Sequence, residues 1–378
     1  MDTDRIQSMY DRGRYIEAAR LADVEVEEEP DADDRARLLL RAAVAWSEAG
    51  HYRRAAARLM RFLALGDAVK EAEWELLAKV LAAKAAIHAS FDAQTVDFLI
   101  WEVGAQVQAS GGRWRRALLK LKGEREMVGC NWGAAQQLME SASAVELPSG
   151  SILGLTSCSA RLLREQVWCC LMAERLPAAE RALEELGQYY DGSSVCCKYR
   201  ALVCKVDVAL ARADVEGASA LSGEFLREAD SMSCYDVDQW AVDRRVRVLL
   251  LVSEQIDPLS VTHPAFAVLR RSRRETFGLK ERFELSLLYL DYRLACVRYA
   301  GGHMAVDDLF GIAKGPQPSE APRGDSEVSK RRRRARASAN RAMHHAKALD
   351  EKWGTSWYED IVRGRLARLR AIGEDAGS

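Results

Sequence analysis

Residues 34–66 read DRARLLLRAAVAWSEAGHYRRAAARLMRFLALG. Apolar residues recur at helical spacing through Leu38, Leu39, Ala42, Ala43 and Trp46, a short turn follows at Ala49-Gly50-His51, and a second helical pattern runs through Ala55, Ala56, Leu59, Phe62 and Leu63. The spacing predicts a helical hairpin. Its alanines at 42, 43 and 55 permit close approach of the two backbones, while Trp46, Tyr52, Leu59 and Phe62 supply bulk around them. One such pair buries little surface by itself, so its apolar faces require neighbouring pairs.

Working outward, the stretch before it repeats the same marks: Gly13 and Tyr15 correspond to Gly50 and Tyr52, Ala18 corresponds to Ala55, and Pro30 closes the unit. Downstream, residues 71–90 carry Trp74, Leu77, Leu81 and Ala85 on one helical face, and residues 91–110 form a second pattern with Phe98, Leu99, Trp101 and Val107. Gly111-Gly112, Trp114 and Ala117 repeat the turn marks. Cys130, Trp132 and Ala135 repeat them again only 18 residues later. The middle of the chain is therefore expected to keep stacked hairpins without a strict repeat length. Residues 146–156, with Pro148 and two glycines, read as a break that serves either as a long loop or as a linker between halves.

Helical patterns resume over residues 159–175, with Pro177 opening the next helix, and over 199–211, followed by a turn at Asp214-Val215 and by Ala218, Leu221 and Phe225. Further helices are expected at 237–255, 264–273, 282–299 and 304–310. The run AKGPQPSEAPRGDSEVSK at 313–330 loses apolar periodicity and reads as a flexible linker or loop. Beyond it, Ala335, Ala339, Ala342, Ala346, Leu349 and Trp353 alternate at spacings of four and three, and a last helix at 357–372 turns Ile361, Leu366 and Leu369 inward. The expected organisation is a helical array over 1–312, the linker at 313–330 and a C-terminal helical pair or cap over 331–378.

The hairpin marks resemble the tetratricopeptide repeat, whose antiparallel helix pairs span about 34 residues. Ala43, Gly50 with Tyr52, Ala55 and Leu59 or Phe62 fall on its pattern. Leu39 stands where its usual tryptophan would be, and its closing proline is missing near 67–70. The resemblance implies an all-α, right-handed solenoid of antiparallel helix pairs whose first helices line a concave groove. Carried onto two units, the groove positions are Arg37, Leu40, Val44, Ser47 and Glu48 in one, and Arg200, Val203, Asp207 and Leu210 in the other. Such scaffolds serve many unrelated partners, so the resemblance implies binding of a protein or peptide without naming it.

Composition agrees with a helical, water-exposed chain. Fifty-five Lys and Arg nearly balance 56 Asp and Glu over 378 residues, so net charge alone does not point to nucleic acid. No stretch has the length and apolarity of a membrane span, the start is unlike a secretory signal, and nine irregularly spaced cysteines fit reduced thiols in a core. A cytoplasmic protein is expected, and the alanine and arginine preference is compatible with a bacterial source.

The residues that carry chemistry elsewhere give no such constellation here. There is no HExxH pair, P-loop or dinucleotide fingerprint. His51 reads as a turn residue, and His344-His345 point in different directions around a helix. Cys169-Cys170, Cys196-Cys197 and Cys204 lack the paired spacing of a zinc hairpin and read first as packing, with a reactive thiol as the alternative. No cofactor, metal or catalytic set is expected. The strongest local signal is electrostatic: Lys330, Arg331, Arg332, Arg333 and Arg334, continued by Arg336 and Arg341. Solvation, an acidic protein and nucleic acid are its three readings. The sequence thus predicts a non-enzymatic adaptor or regulator, with nucleic-acid binding through the basic segment, an enzyme with a dispersed site, and homo-oligomerisation as alternatives.

Overall fold

The computed structural model describes residues 3–65, 72–89, 91–110, 114–146, 159–189, 195–229, 241, 244–245, 247–248, 279–301 and 325–374. Among them are fifteen helices and no strand. The break at 146–156 lies almost wholly outside these residues, as do most of 237–255 and all of 264–273 and 304–310. Two compact units comprise Met1–Val208 with Glu224–Trp240, and Ala209–Gly223 with Ala241–Ser378.

In the first unit, the helices are α1 (Thr3–Asp11), α2 (Tyr15–Glu28), α3 (Ala32–Glu48), α4 (Tyr52–Leu63), α5 (Ala72–His88), α6 (Ala93–Ala109), α7 (Arg115–Val128), α8 (Trp132–Ser143), α9 (Ser159–Met172) and α10 (Leu176–Gly187). The next two, α11 (Val195–Ala211) and α12 (Val215–Ala229), run through the boundary of the two units. Each helix up to α6 packs on the next in sequence, as do the pairs α6–α7, α7–α8, α8–α9 and α9–α10. The first helices of successive pairs also touch, α3 on α5 and α5 on α7.

One local geometry recurs at the hairpin turns. The first helix ends on a residue with positive φ at Gly13, Gly50, Cys130, Glu174 and Ala213. The following amide donates back across the turn: His51 N to Trp46 O at 2.9 Å, Asn131 N to Glu126 O at 3.0 Å, Arg175 N to Cys170 O at 2.8 Å and Asp214 N to Ala209 O at 2.9 Å. This is the six-to-one bond of a left-handed helix cap. Five positions beyond each turn residue stands a fully buried alanine: Ala18, Ala55, Ala135, Ala179 and Ala218.

The recurrence resolves the two conflicting turn marks. Trp114 immediately precedes the first helix α7, with its indole buried, and residues 111–113 before it lie outside the described residues. Cys130 is the turn, in phase with Gly13 and Gly50. The sequence pattern misled because three of the five turns place an L-residue in the left-handed region, where glycine is the usual choice. Left-handed φ costs an L-residue about 1–2 kcal/mol, partly offset by the entropy glycine loses on folding. Cys130→Gly, Glu174→Gly and Ala213→Gly are each expected to stabilise the chain by roughly 0.5–1 kcal/mol. Thermal unfolding of the three variants checks this, and destabilisation would contradict the turn assignment.

Capping and packing explain the individual helices. Asp31 accepts from Asp33 N at 2.9 Å and Asp34 N at 3.0 Å, satisfying first-turn donors of α3. Asp92 does the same for α6 through Thr95 N at 2.8 Å. Trp46 is buried and donates from Nε1 to Asp23 Oδ2 at 3.0 Å, while Arg58 grips the same carboxylate at 2.9 and 2.7 Å. That carboxylate ties α2 to both helices of the next pair. Between α7 and α8, a Cβ on Gly123 would come within 2.7 Å of Met139 Cε, so glycine permits the close crossing.

The second unit contains α13 (Leu279–Gly301), α14 (Asp325–Trp353) and α15 (Trp357–Glu374), each touching the other two. Ala335, Ala339, Ala342, Ala346 and Leu349 are fully buried, as their spacing predicts, and Leu288, Leu290, Leu294 and Val297 bury on α13. Arg365 grips Asp291 at 2.7 and 3.2 Å, joining α15 to α13. On α15 the inward residue is Val362 rather than Ile361, and Leu366 is half-buried. The last six residues of the expected linker, 325–330, belong to α14; residues 313–324 lie outside the described residues.

Candidate functional site

The first helices α3, α5, α7, α9 and α11 each place charged side chains in the interior of the first unit. Glu48, the last residue of α3, is 6% exposed and meets Lys84 of α5 at 3.6 Å, Arg200 of α11 at 3.6 Å, and Arg161 of α9 in a direct ion pair. Beside it, Glu124 of α7 pairs with Lys120 and lies 3.9 Å from His88 Nε2 of α5. Glu165 of α9 pairs with Arg164. All but Arg164 and His88 are nearly sealed from water.

Burial by itself would raise the Glu48 carboxyl, but Arg161, Lys84 and Arg200 overcome that and hold it well below the usual carboxylate range. Glu124 behaves alike, with Lys120 and His88 overcoming burial, and so does Glu165 through Arg164 and Lys120. Burial and the neighbouring Arg161 bring the Lys84 amine down to about 8, against the pull of Glu48. Near neutrality all three carboxylates are therefore ionised. Among the described residues the cluster brings together five Lys and Arg side chains (84, 120, 161, 164 and 200) and three glutamates.

The groove positions read from the sequence fall unevenly. Glu48 and Arg200 come together, across 152 residues of chain, as partners in one ion cluster. Leu40, Val44, Ser47 and Val203 are buried with them, Asp207 and Leu210 are half-buried, and only Arg37, with a side chain 54% exposed, stands in solvent. Arg37 apart, these side chains are buried or half-buried by packing among the described residues. Ser47 Oγ and Glu124 Oε2 are buried without a hydrogen-bond partner. Lys84, Lys120, Glu124, Arg161, Arg164 and Glu165 were not singled out from sequence.

The basic segment divides. Arg331 is buried and donates to the Cys296 carbonyl at 3.0 Å, and Arg332 is half-buried. Lys330, Arg333, Arg334, Arg336 and Arg341 are exposed on α14. Cys169, Cys170 and Cys204 are buried, and burial pushes the Cys169 and Cys170 thiols up, so neither is a ready thiolate. The side chains of Cys196 and Cys197 lie outside the described residues. His51 occupies the α3–α4 turn edge-on to Trp46, with ring centroids 5.3 Å apart. Among the described residues no cluster of three or more His, Cys, Asp and Glu has metal-site geometry, and no helix is long and apolar enough to cross a membrane.

These observations define the class as an all-helical protein of neighbour-packed helices with an ionised interior. No family model matches the chain, and no curated protein matches it.

Proposed function

We propose that the chain is a non-enzymatic, cytoplasmic adaptor or regulator, built as a right-handed, tetratricopeptide-like solenoid, that binds an acidic segment of another protein or a peptide on its inner face. The recurrent turn with its buried alanine supports the repeat reading, as does the packing of first helix on first helix. One observation carries the ligand reading: three cations from three separate helices converge on the single carboxylate of Glu48. Cations gathered on one point from separate helices make a site suited to a carboxylate. A partner's carboxylate can use it either by adding to the cluster or by taking the place Glu48 occupies. Glu48 is then an internal stand-in for the ligand, and Ser47 Oγ is a nearby group with unused hydrogen-bonding capacity.

The test is a peptide library with free C-termini, screened against the full chain at low salt. Peptides rich in Asp and Glu are expected to be enriched, and Arg161→Met or Arg200→Met to weaken them at least about tenfold, the scale of one charge-assisted hydrogen bond. A library that yields no acidic preference would sink this reading.

A further inference from the structure

Helix α14 carries the longest uniform charge run of the protein on its solvent side. From Lys330 to Leu349 there is no Asp or Glu, while eight Lys and Arg occur. Six of these eight are exposed: Lys330, Arg333, Arg334, Arg336, Arg341 and Lys347. At 1.5 Å per residue they span about 26 Å along the helix. Lys330 stands three and four positions before Arg333 and Arg334, and Arg333 three before Arg336, which sets these side chains about 5–6 Å apart. The residues exposed between the six are Ala337, Asn340 and His344.

The opposite side of α14 is fixed. Ala335, Ala339, Ala342 and Ala346 are fully buried, α14 packs on α13, and Arg331 is tied to the Cys296 carbonyl. The basic run is therefore a preorganised ridge rather than a loose tail, and binding to it does not require a disordered segment to fold.

We propose that this ridge docks on the phosphate backbone of duplex DNA, without reading its sequence. Arginines spread over one side of a helix suit the phosphates that line a groove, which guanidinium groups grip in bidentate fashion. The major groove of B-form DNA, about 12 Å wide, admits the outer half of a helix. With its inner half packed on α13, α14 can present cations to the groove walls but few side chains to the base edges. Single-stranded nucleic acid is disfavoured because the ridge exposes no Phe, Tyr or Trp on which bases stack, its one exposed ring being the imidazole of His344, and A-form RNA because its major groove is too deep and narrow. This inference does not depend on the acidic-peptide reading, since it uses none of the interior cluster.

The test uses the full chain and a fluorescent duplex of about 20 base pairs of mixed sequence. With six phosphates neutralised, affinity is expected to fall on the order of 10³-fold between about 50 and 200 mM salt, a log–log slope near −5. The Arg333→Gln/Arg334→Gln/Arg336→Gln variant is expected to bind more weakly and to lower the slope to about −3, with helicity and melting temperature unchanged because all three side chains are exposed. Arg341→Glu is the second variant, expected to weaken binding without touching that cluster. No binding at the lower salt, or binding indifferent to both variants, overturns the proposal. So does displacement of the duplex by poly-L-glutamate at equal charge concentration, which would make the ridge a site for acidic protein, and so does tighter binding of single-stranded DNA or an RNA duplex.

Discussion

Glu48→Ala is expected to destabilise the protein by about 3–5 kcal/mol, the cost of leaving a buried ion cluster without one partner. The loss is large because Lys84, Arg161 and Arg200 all turn toward this carboxylate and all three side chains are nearly sealed from water. Removing Glu48 takes from all three cations the carboxylate on which they converge. Lys84→Met, by contrast, is expected to cost far less, since burial already disfavours the Lys84 ammonium. Acetate is expected to restore part of the Glu48→Ala loss by entering the space vacated by the carboxylate, whereas chloride at equal ionic strength is not. Acid acts on the same groups. The folded-state values of Glu48, Glu124 and Glu165 lie below the unfolded value of 4.5. The folded protein therefore holds fewer protons than the unfolded chain below about that pH, and the stability these groups contribute is complete above it and lost as the pH falls toward their folded values. Denaturant unfolding from neutral pH down to about 3 reads this loss; a flat profile would mean the carboxylates are not held in their ionised form.

Trp46→Ala is expected to cost about 3–5 kcal/mol, as for other large aromatic truncations in a packed interior. Trp46 is almost wholly buried, Arg54 lies 4.6 Å over its ring, and its indole N–H supports the carboxylate that joins α2 to α4. Trp46→Phe separates the contributions. It keeps most of the apolar contact and loses the donor to Asp23, for an expected cost of about 1–2 kcal/mol. Asp23 retains Arg58, so it is not orphaned. If Trp46→Ala and Trp46→Phe prove equally mild in chemical unfolding, the hairpin of residues 34–66 is not the packed unit described above.

The hairpins were legible because their signal is local. The spacing of alanine and leucine marks a helix face, and a buried alanine five residues past each turn marks the close crossing. Glycine proved a poorer guide than that alanine, since Cys130, Glu174 and Ala213 adopt the same backbone conformation. The ion cluster was not legible by the same means, because charged residues on helices normally mark the wet face. One signal was present all the same. Glu48, Lys84, Lys120, Arg161 and Arg200 recur at separations of 36 to 41 residues, close to the distance between successive pairs, so one charged position per first helix was being repeated inward. Reading charge at the repeat period, rather than at the helical period, would have found it. The basic segment was visible in sequence, but Arg331 and Arg332 could be told from the exposed arginines only once the alanine face of α14 was set against α13.

The central claim is that Glu48 occupies the place of a ligand carboxylate, and the most direct measurement is the affinity of one acidic peptide for the wild-type chain, Glu48→Gln and Arg161→Met, each checked for native helicity. Removal of an internal competitor predicts that Glu48→Gln binds at least about tenfold more tightly than wild type, while Arg161→Met loses binding. Equal affinity for all three chains would contradict the account and leave the cluster as a purely structural ion network.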